Sequence, residues 1–212
     1  MLIVGAKGFA KEVLEIFHQK DETENLHFYD DVSSDIPDFL YNQFKVLKSE
    51  QEAKELFEKT STEFVIGIGN PQLRYQLTEK FQNLGGTLIS SISNFAEIGS
   101  FGVEIGDGSN ILGGVRISND VQIGRGTIVY YNSIITHDVT IGEFCEISPG
   151  ATLLGRCKIG KFVKIGAGAI IFPDVEIGDY SVIASGAVVR NNVPENSMAA
   201  GVPAKIKKSV ES

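Results

Sequence analysis

The chain carries three histidines, and only His137 lies in its C-terminal half. It is followed at once by Asp138, inside the run "SIITHDVTIG". An imidazole beside a carboxylate can be held in the tautomer that accepts a proton. Exactly one glycine of interest lies eighteen residues on, Gly155, and the meaning of that interval depends on the surrounding pattern. If eighteen residues bring the chain back to the same place, a glycine N–H sits one strand spacing from the imidazole. Base, orienting acid and oxyanion donor then make a constellation for acyl transfer. The other reading is a polar turn, since turns favour such residues.

The elements that must position these groups are legible from spacing. Fifteen aliphatic residues, from Ile105 to Val189, recur at an unbroken interval of six, and the position four residues after each is small or β-branched. Within a hexad the small residue and the next aliphatic are two apart, so they share one face of a short strand. Ile-Gly recurs at 105–106, 123–124, 141–142, 159–160 and 177–178, a second period of eighteen. Three hexads therefore make one coil of a triangular parallel β-solenoid, and like residues stack about 4.8 Å apart. Ile92 and Ile98 join the series after a one-residue slip near Phe101-Gly102, and the chain is expected to leave the solenoid at Pro194. His137 falls at a corner, and Gly155 falls directly beneath it. Cys145 and Cys157 occupy small inward positions on different sides of the triangle, so they read as packing residues and not as a disulfide.

The first 88 residues follow another rule. "MLIVG", "LHFYDD" and "EFVIGIG" read as strands alternating with helices at Val13–Phe17, "SEQEAKELFEK" and "NPQLRYQLTEKFQNLGG". That order implies a small Rossmann-like parallel α/β domain over 1–88, with ligands at the carboxyl ends of its strands, before a β-solenoid domain with a C-terminal tail over 89–212. Gly5 and Gly8, in the turn that also holds Phe9, suit a phosphate at a helix N-terminus or close packing of strand on helix. The third glycine of a dinucleotide fingerprint is absent. Asp30 and Asp31 end the second strand, where a carboxylate can meet a ribose or base, and Gly69 and Asn70 end the third.

Composition narrows the partners. The net charge of −8 argues against general affinity for nucleic acid or anionic membranes, although "AKIKK" at 204–208 is a local basic cluster. No apolar run is long enough to insert into a bilayer, so a cytoplasmic protein is expected. One solenoid histidine cannot supply the three that a zinc site of carbonic anhydrase type needs, so no metal is expected.

The stretches "VGAKGFAKEVLE", "YDD", "IGIGNPQLR", "HDVTIGEFCEISPGATLLGRCKIG" and "GVPAK" together resemble the bacterial sugar O-/N-acyltransferases of the left-handed β-helix superfamily. The likeness is to UDP-4-amino-sugar N-acetyltransferases and sialic acid O-acetyltransferases. It implies a left-handed parallel β-helix, a homotrimer with sites in the clefts between solenoids, and acetyl-CoA as co-substrate. His137 would be the general base, Asp138 its orienting group and the Gly155 N–H the oxyanion donor. Acetyl-CoA would lie near Glu146, Gly155, Ala167, Ser185 and Lys205. The nucleotide-linked sugar would be held by Gly5, Gly8, Phe9, Asp30, Asp31, Gly69 and Asn70. Phe9 stands where amino-sugar enzymes often carry His. The implied activity is acetylation of an amino or hydroxyl group for surface glycan biosynthesis. The alternatives are O-acetylation of a sialic-acid-like sugar and a non-catalytic nucleotide-sugar-binding trimer.

Overall fold

The computed structural model describes residues 1–209; the side chain of Lys208 lies outside that description. The chain forms two compact units, Met1–Asn94 and a second beginning at Phe95. Ile89, just past the boundary expected at 88, packs on the first unit's core.

In the first unit, β1 (Leu2–Val4), α1 (Gly8–His18), β2 (His27–Tyr29), β3 (Phe39–Leu40), β4 (Phe44–Leu47), α2 (Glu50–Lys59), β5 (Glu63–Ile66), α3 (Pro71–Asn83) and β6 (Thr87–Leu88) follow in order. The sheet runs β3-β4-β2-β1-β5-β6 and is parallel except for the β3–β4 hairpin. All three β1 residues are buried because helices cover both faces. Alternation sorts them: Ile3 joins Phe28, Val46 and Val65 under α1, while Leu2 and Val4 join Tyr29, Phe64 and Phe81 under α2 and α3. The strand order reverses between β1 and β5, so the crevice expected for ligands opens at their carboxyl ends.

The second unit is a β-helix whose two-residue strands stack in three sheets, parallel but for the final strand. Its register is the eighteen-residue period: Gln122 pairs with Thr140, Thr140 with Lys158 and Lys158 with Glu176. Between Ile98 and Ile105 the offset changes from nineteen (Ile98↔Ile117) to eighteen (Ile105↔Ile123). The repeated Ile-Gly pairs have a steric cause. A Cβ on Gly106, Gly124 or Gly142 would lie 2.5–2.6 Å from backbone of the next coil, so only glycine lets successive coils approach at this corner. A second column at the same corner adopts the left-handed backbone at Gly126, Phe144, Phe162 and Tyr180. For a non-glycine residue this costs roughly 1–2 kcal/mol. The rings stack from coil to coil at 5.6 and 5.1 Å, and each stacked pair returns about 0.5–1.5 kcal/mol, so the terms are comparable.

The chain does not leave the solenoid at Pro194. Ser197–Ala200 adds a strand parallel to Val182–Ile183, with Ala199 buried opposite Ile183, and Lys205–Ser209 folds back antiparallel on it. The spacing from Ile183 to Ala199 is sixteen, which the hexad pattern misses. The lysine-bearing final strand covers the edge of that sheet.

Candidate active site

His137 and Asp138 occupy the corner between the strands Ile134–Ile135 and Thr140–Ile141. Asp138 takes the left-handed conformation (φ 60°), as do Asp120, Arg156 and Asp174 at the same corner of neighbouring coils. This bend aims its carboxylate back at the preceding imidazole, with His137 Nδ1 2.6 Å from Asp138 Oδ2. The carboxylate can only accept, so Nδ1 carries a proton, and in the neutral ring it is Nε2 that presents the lone pair. One coil on, the Arg156 N–H donates to the His137 carbonyl at 3.1 Å. That bond fixes Gly155 under the ring. A Cβ on Gly155 would stand 2.6 Å from Cε1 and 2.8 Å from Nε2 of His137. Among the described residues no group accepts from the Gly155 N–H.

The expected triad of His137, Asp138 and Gly155 is thus assembled within one corner. Its side chains are open, at 55% and 52% exposure for His137 and Asp138. The grooves of the solenoid lie elsewhere, one of about 340 Å³ bounded by Phe95, Arg116 and Ile134, another of about 580 Å³ bounded by Lys158, Glu176 and Pro194. Ala167 and Ser185 share a different corner, one coil apart and both exposed, where the Gly186 N–H donates to the Ala167 carbonyl at 2.9 Å. Glu146 lies on the sheet that precedes this corner, and Lys205 begins the final antiparallel strand of the same sheet. Both cysteines are free and buried, and burial pushes the Cys157 thiol up to about 12, far from a nucleophile.

In the first unit, Gly5 (φ 113°) lets the β1–α1 turn press on the loop after β5, since a Cβ there would stand 2.8 Å from the Gly67 carbonyl oxygen. Gly8 opens α1 with free space around it, whereas Phe9 turns its ring onto the core beneath α1. Asp30 accepts from the N–H groups of Val32 and Ser33 at 3.2 and 2.8 Å, which closes a turn. Asp31 faces the other side of the sheet. It accepts from the Tyr29 hydroxyl at 2.7 Å and from Lys80 at 3.4 Å, and Lys80 also pairs with Glu50 at 3.0 Å. Burial alone would raise the Asp31 pKa, but those partners outweigh it and hold the carboxyl below its usual range. Asn70 caps α3 through the Leu73 N–H at 3.0 Å, and the Gly69 carbonyl accepts from buried Arg74. The expected residues therefore divide: Gly8 is exposed at the head of α1, Gly5 is buried with its N–H on the Tyr29 carbonyl, and Asp30, Asp31 and Asn70 have side chains engaged within the unit. Sequence reasoning passed over Lys7 at the N-cap of α1, an exposed cation 3.1 Å from Asp35, and the pair Arg156–Asp174 beside Asp138. The first had the signal of its place in the glycine turn, the second that of the eighteen-residue interval. Among the described residues no cluster of three or more His, Cys, Asp or Glu could hold a metal ion, and no helix is long and apolar enough to cross a membrane.

Residues 1–81 match the model of the PglD N-terminal domain, and residues 120–155 and 156–191 match that of the bacterial transferase hexapeptide. Among solved structures, the chain is similar to a histidine-to-alanine variant of GDP-perosamine N-acetyltransferase from Caulobacter crescentus in complex with CoA and GDP-perosamine. The two are 28% identical over 98% of this chain and 96% of that one, with a TM-score of 0.90. It is also similar to the acetyltransferase domain of PglB from Neisseria gonorrhoeae in complex with acetyl coenzyme A (28% identity, 97% and 98% covered, TM-score 0.87). WeeI from Acinetobacter baumannii is a third (28%, 97% and 98%, TM-score 0.86). Among curated protein sequences none matches. The chain belongs to the left-handed β-helix, hexapeptide-repeat sugar acyltransferases with a PglD-type N-terminal domain.

Proposed function

We propose that the protein transfers an acetyl group from acetyl-CoA to the amino group of a nucleotide-linked sugar, for surface glycan biosynthesis. The observation that carries this reading is the His137–Asp138 pair at 2.6 Å with the ring of His137 standing over Gly155. Solved relatives that bind CoA, one of them with an amino-sugar nucleotide, give the substrates their class. The acceptor nitrogen attacks the thioester carbonyl carbon, and the carbonyl π electrons move to oxygen. The acceptor enters as the neutral amine, since an ammonium group has no lone pair to attack with; once bonded to carbon its nitrogen carries one proton too many, and His137 Nε2 takes that proton. Asp138 keeps Nδ1 protonated and so keeps Nε2 a base. The Gly155 N–H is the donor for the oxyanion. Collapse of the adduct expels the CoA thiolate, which recovers the proton from the imidazolium.

We assign acetyl-CoA to the surface near Glu146, Gly155, Ala167, Ser185 and Lys205. The sugar nucleotide is assigned to the crevice formed by Gly5, Gly8, Phe9, Asp30, Asp31, Gly69 and Asn70. A cytoplasmic homotrimer fits the open His137 corner, which needs another surface to exclude water. On the adjoining sheet the outward row reads Glu97, Arg116, Ile134, Thr152, Ile170 and Val188; its three aliphatics support the assembly, with Ile134 39% exposed and Ile170 and Val188 half-buried. The facing row on the next sheet is Gln122, Thr140, Lys158 and Glu176, all polar and exposed. The test is thiol release from acetyl-CoA with a panel of UDP-, GDP- and dTDP-linked amino sugars, with the product weighed by mass spectrometry. Binding of a sugar nucleotide without thiol release from any of them would establish a scaffold instead.

A further inference from the structure

The corner that holds Asp138 is a column of four charged side chains in one backbone conformation: Asp120 (φ 56°), Asp138 (φ 60°), Arg156 (φ 63°) and Asp174 (φ 61°). Successive members are one coil apart, about 4.8 Å. Arg156 thus has a carboxylate on each side and can fork onto only one. It takes Asp174, with Nε 2.6 Å from Oδ1 and Nη2 2.8 Å from Oδ2. Asp138 is left to the imidazole, at 2.6 Å. Other charges around the corner are already committed or averted. Asp120 leans away, its carboxylate over Gly102 on the preceding coil. Lys158, on the adjoining sheet, pairs with Glu176 at 3.0 Å.

A bidentate guanidinium–carboxylate pair is stronger than a single neutral N–H···O⁻ contact. If Arg156 were free, it would capture Asp138 from His137. The guanidinium already feels both carboxylates, Asp174 first and Asp138 more weakly, and each favours its charged form. The Arg156–Asp174 pair is open to water, with side chains 54% and 63% exposed. Water and salt screen a pair this exposed.

We propose that Asp174 is a positioning residue for the reaction: it holds the Arg156 guanidinium one coil away and so reserves Asp138 for His137. The proposal rests on the reading of His137 as the base. Removing Asp174 leaves Arg156 to fork onto Asp138, and His137 loses the acceptor that fixes its Nδ1–H tautomer. Neutral imidazole without such a partner favours the Nε2–H form, which presents no lone pair to the acceptor.

The experiment compares wild type, Asp174→Asn and the double variant Asp174→Asn/Arg156→Gln. Histidine labelled with nitrogen-15 reports the tautomer by NMR, with the His137 signals assigned by their loss in His137→Ala, and kcat is measured in parallel. Wild type should show His137 protonated at Nδ1. Asp174→Asn should shift it toward Nε2–H and lower kcat about tenfold or more, since a mis-set tautomer can cost up to about 10⁴ where the orienting carboxylate itself is lost. The double variant, which has no guanidinium to compete, should recover both tautomer and rate. A merely structural role predicts no such recovery. If Asp174→Asn leaves the tautomer unchanged, or if the double variant is no better than the single one, the proposal is wrong. If the tautomer shifts and recovers as stated while kcat does not move, the clamp stands and the assignment of His137 as base fails.

Discussion

Gly155→Ala tests the base through its floor without touching it. The added Cβ would lie 2.6 Å from His137 Cε1, 2.8 Å from Nε2 and 3.3 Å from Nδ1. Carbon atoms in contact ordinarily stand about 3.5–4.0 Å apart. The imidazole must therefore retreat by about 1 Å, and it does so at the expense of its 2.6 Å bond to Asp138. A misplacement of about 1 Å at a reacting group can cost roughly 10²-fold, so kcat should fall by about that factor. Gly155 is not in the left-handed region, and its neighbour is a movable side chain. The melting temperature should stay within a few degrees. Alanine retains the backbone N–H, so loss of an oxyanion donor cannot explain the result. Gly142→Ala is the contrast: its Cβ would stand 2.6 Å from the Gly160 carbonyl carbon, which is backbone and cannot yield, so this variant should lose stability outright. The assay is turnover at saturating acetyl-CoA and acceptor, beside thermal unfolding followed by circular dichroism. A folded Gly155→Ala enzyme with kcat within twofold of wild type would refute the claim that this ring position matters.

His137→Ala should lower kcat by about 10²–10⁴, with acetyl-CoA affinity by calorimetry and oligomeric mass by light scattering unchanged from wild type; near wild-type turnover in the folded variant would return His137 to the status of a turn residue. Replacing Lys205, Lys207 and Lys208 together should raise the KM for acetyl-CoA more than it lowers kcat, and a change confined to the acceptor's KM would contradict the assignment of acetyl-CoA to the surface near Lys205. Asp31 has a folded pKa below its ordinary value of about 3.9, so its stabilisation is complete above that pH and is lost as pH falls below it. Lys80→Met should accordingly move the acid unfolding midpoint upward, and an unmoved midpoint counts against the Asp31–Lys80–Glu50 cluster. Tyr29 acts at the other end: burial first and Asp31 second push it up to about 12, so its stabilisation is complete below about pH 10 and lost as pH rises through the folded value.

The repeating unit was legible because a two-residue strand exposes its rule directly: one inward aliphatic and one small residue every six positions, with glycine wherever a Cβ would strike the next coil. The ends of the solenoid were not. The last strand enters at an offset of sixteen, and its inward residue is Ala199 where the hexads have Ile or Val. It is held by hydrogen bonds to both neighbouring strands, which leave no periodic mark. In the first unit the long strands and helices were visible as apolar runs and stripes. The β3–β4 hairpin was hidden because its turn, Tyr41-Asn42, uses the left-handed region without glycine.

The site divides along the same line. Backbone periodicity alone places Gly155 beneath His137, since like residues of successive coils coincide whatever their side chains do. Orientation is different in kind. Asp31 and Asp30 are neighbours in sequence, yet strand alternation sends one carboxylate to Lys80 and leaves the other closing its own turn. Asp138 and Asp174 are equivalent by period, yet one serves an imidazole and the other a guanidinium. The choice is made by Arg156, which stands between them and can satisfy its fork on one side only. A charge pattern at intervals of eighteen therefore encodes the column, while the competition within the column decides which carboxylate remains for chemistry.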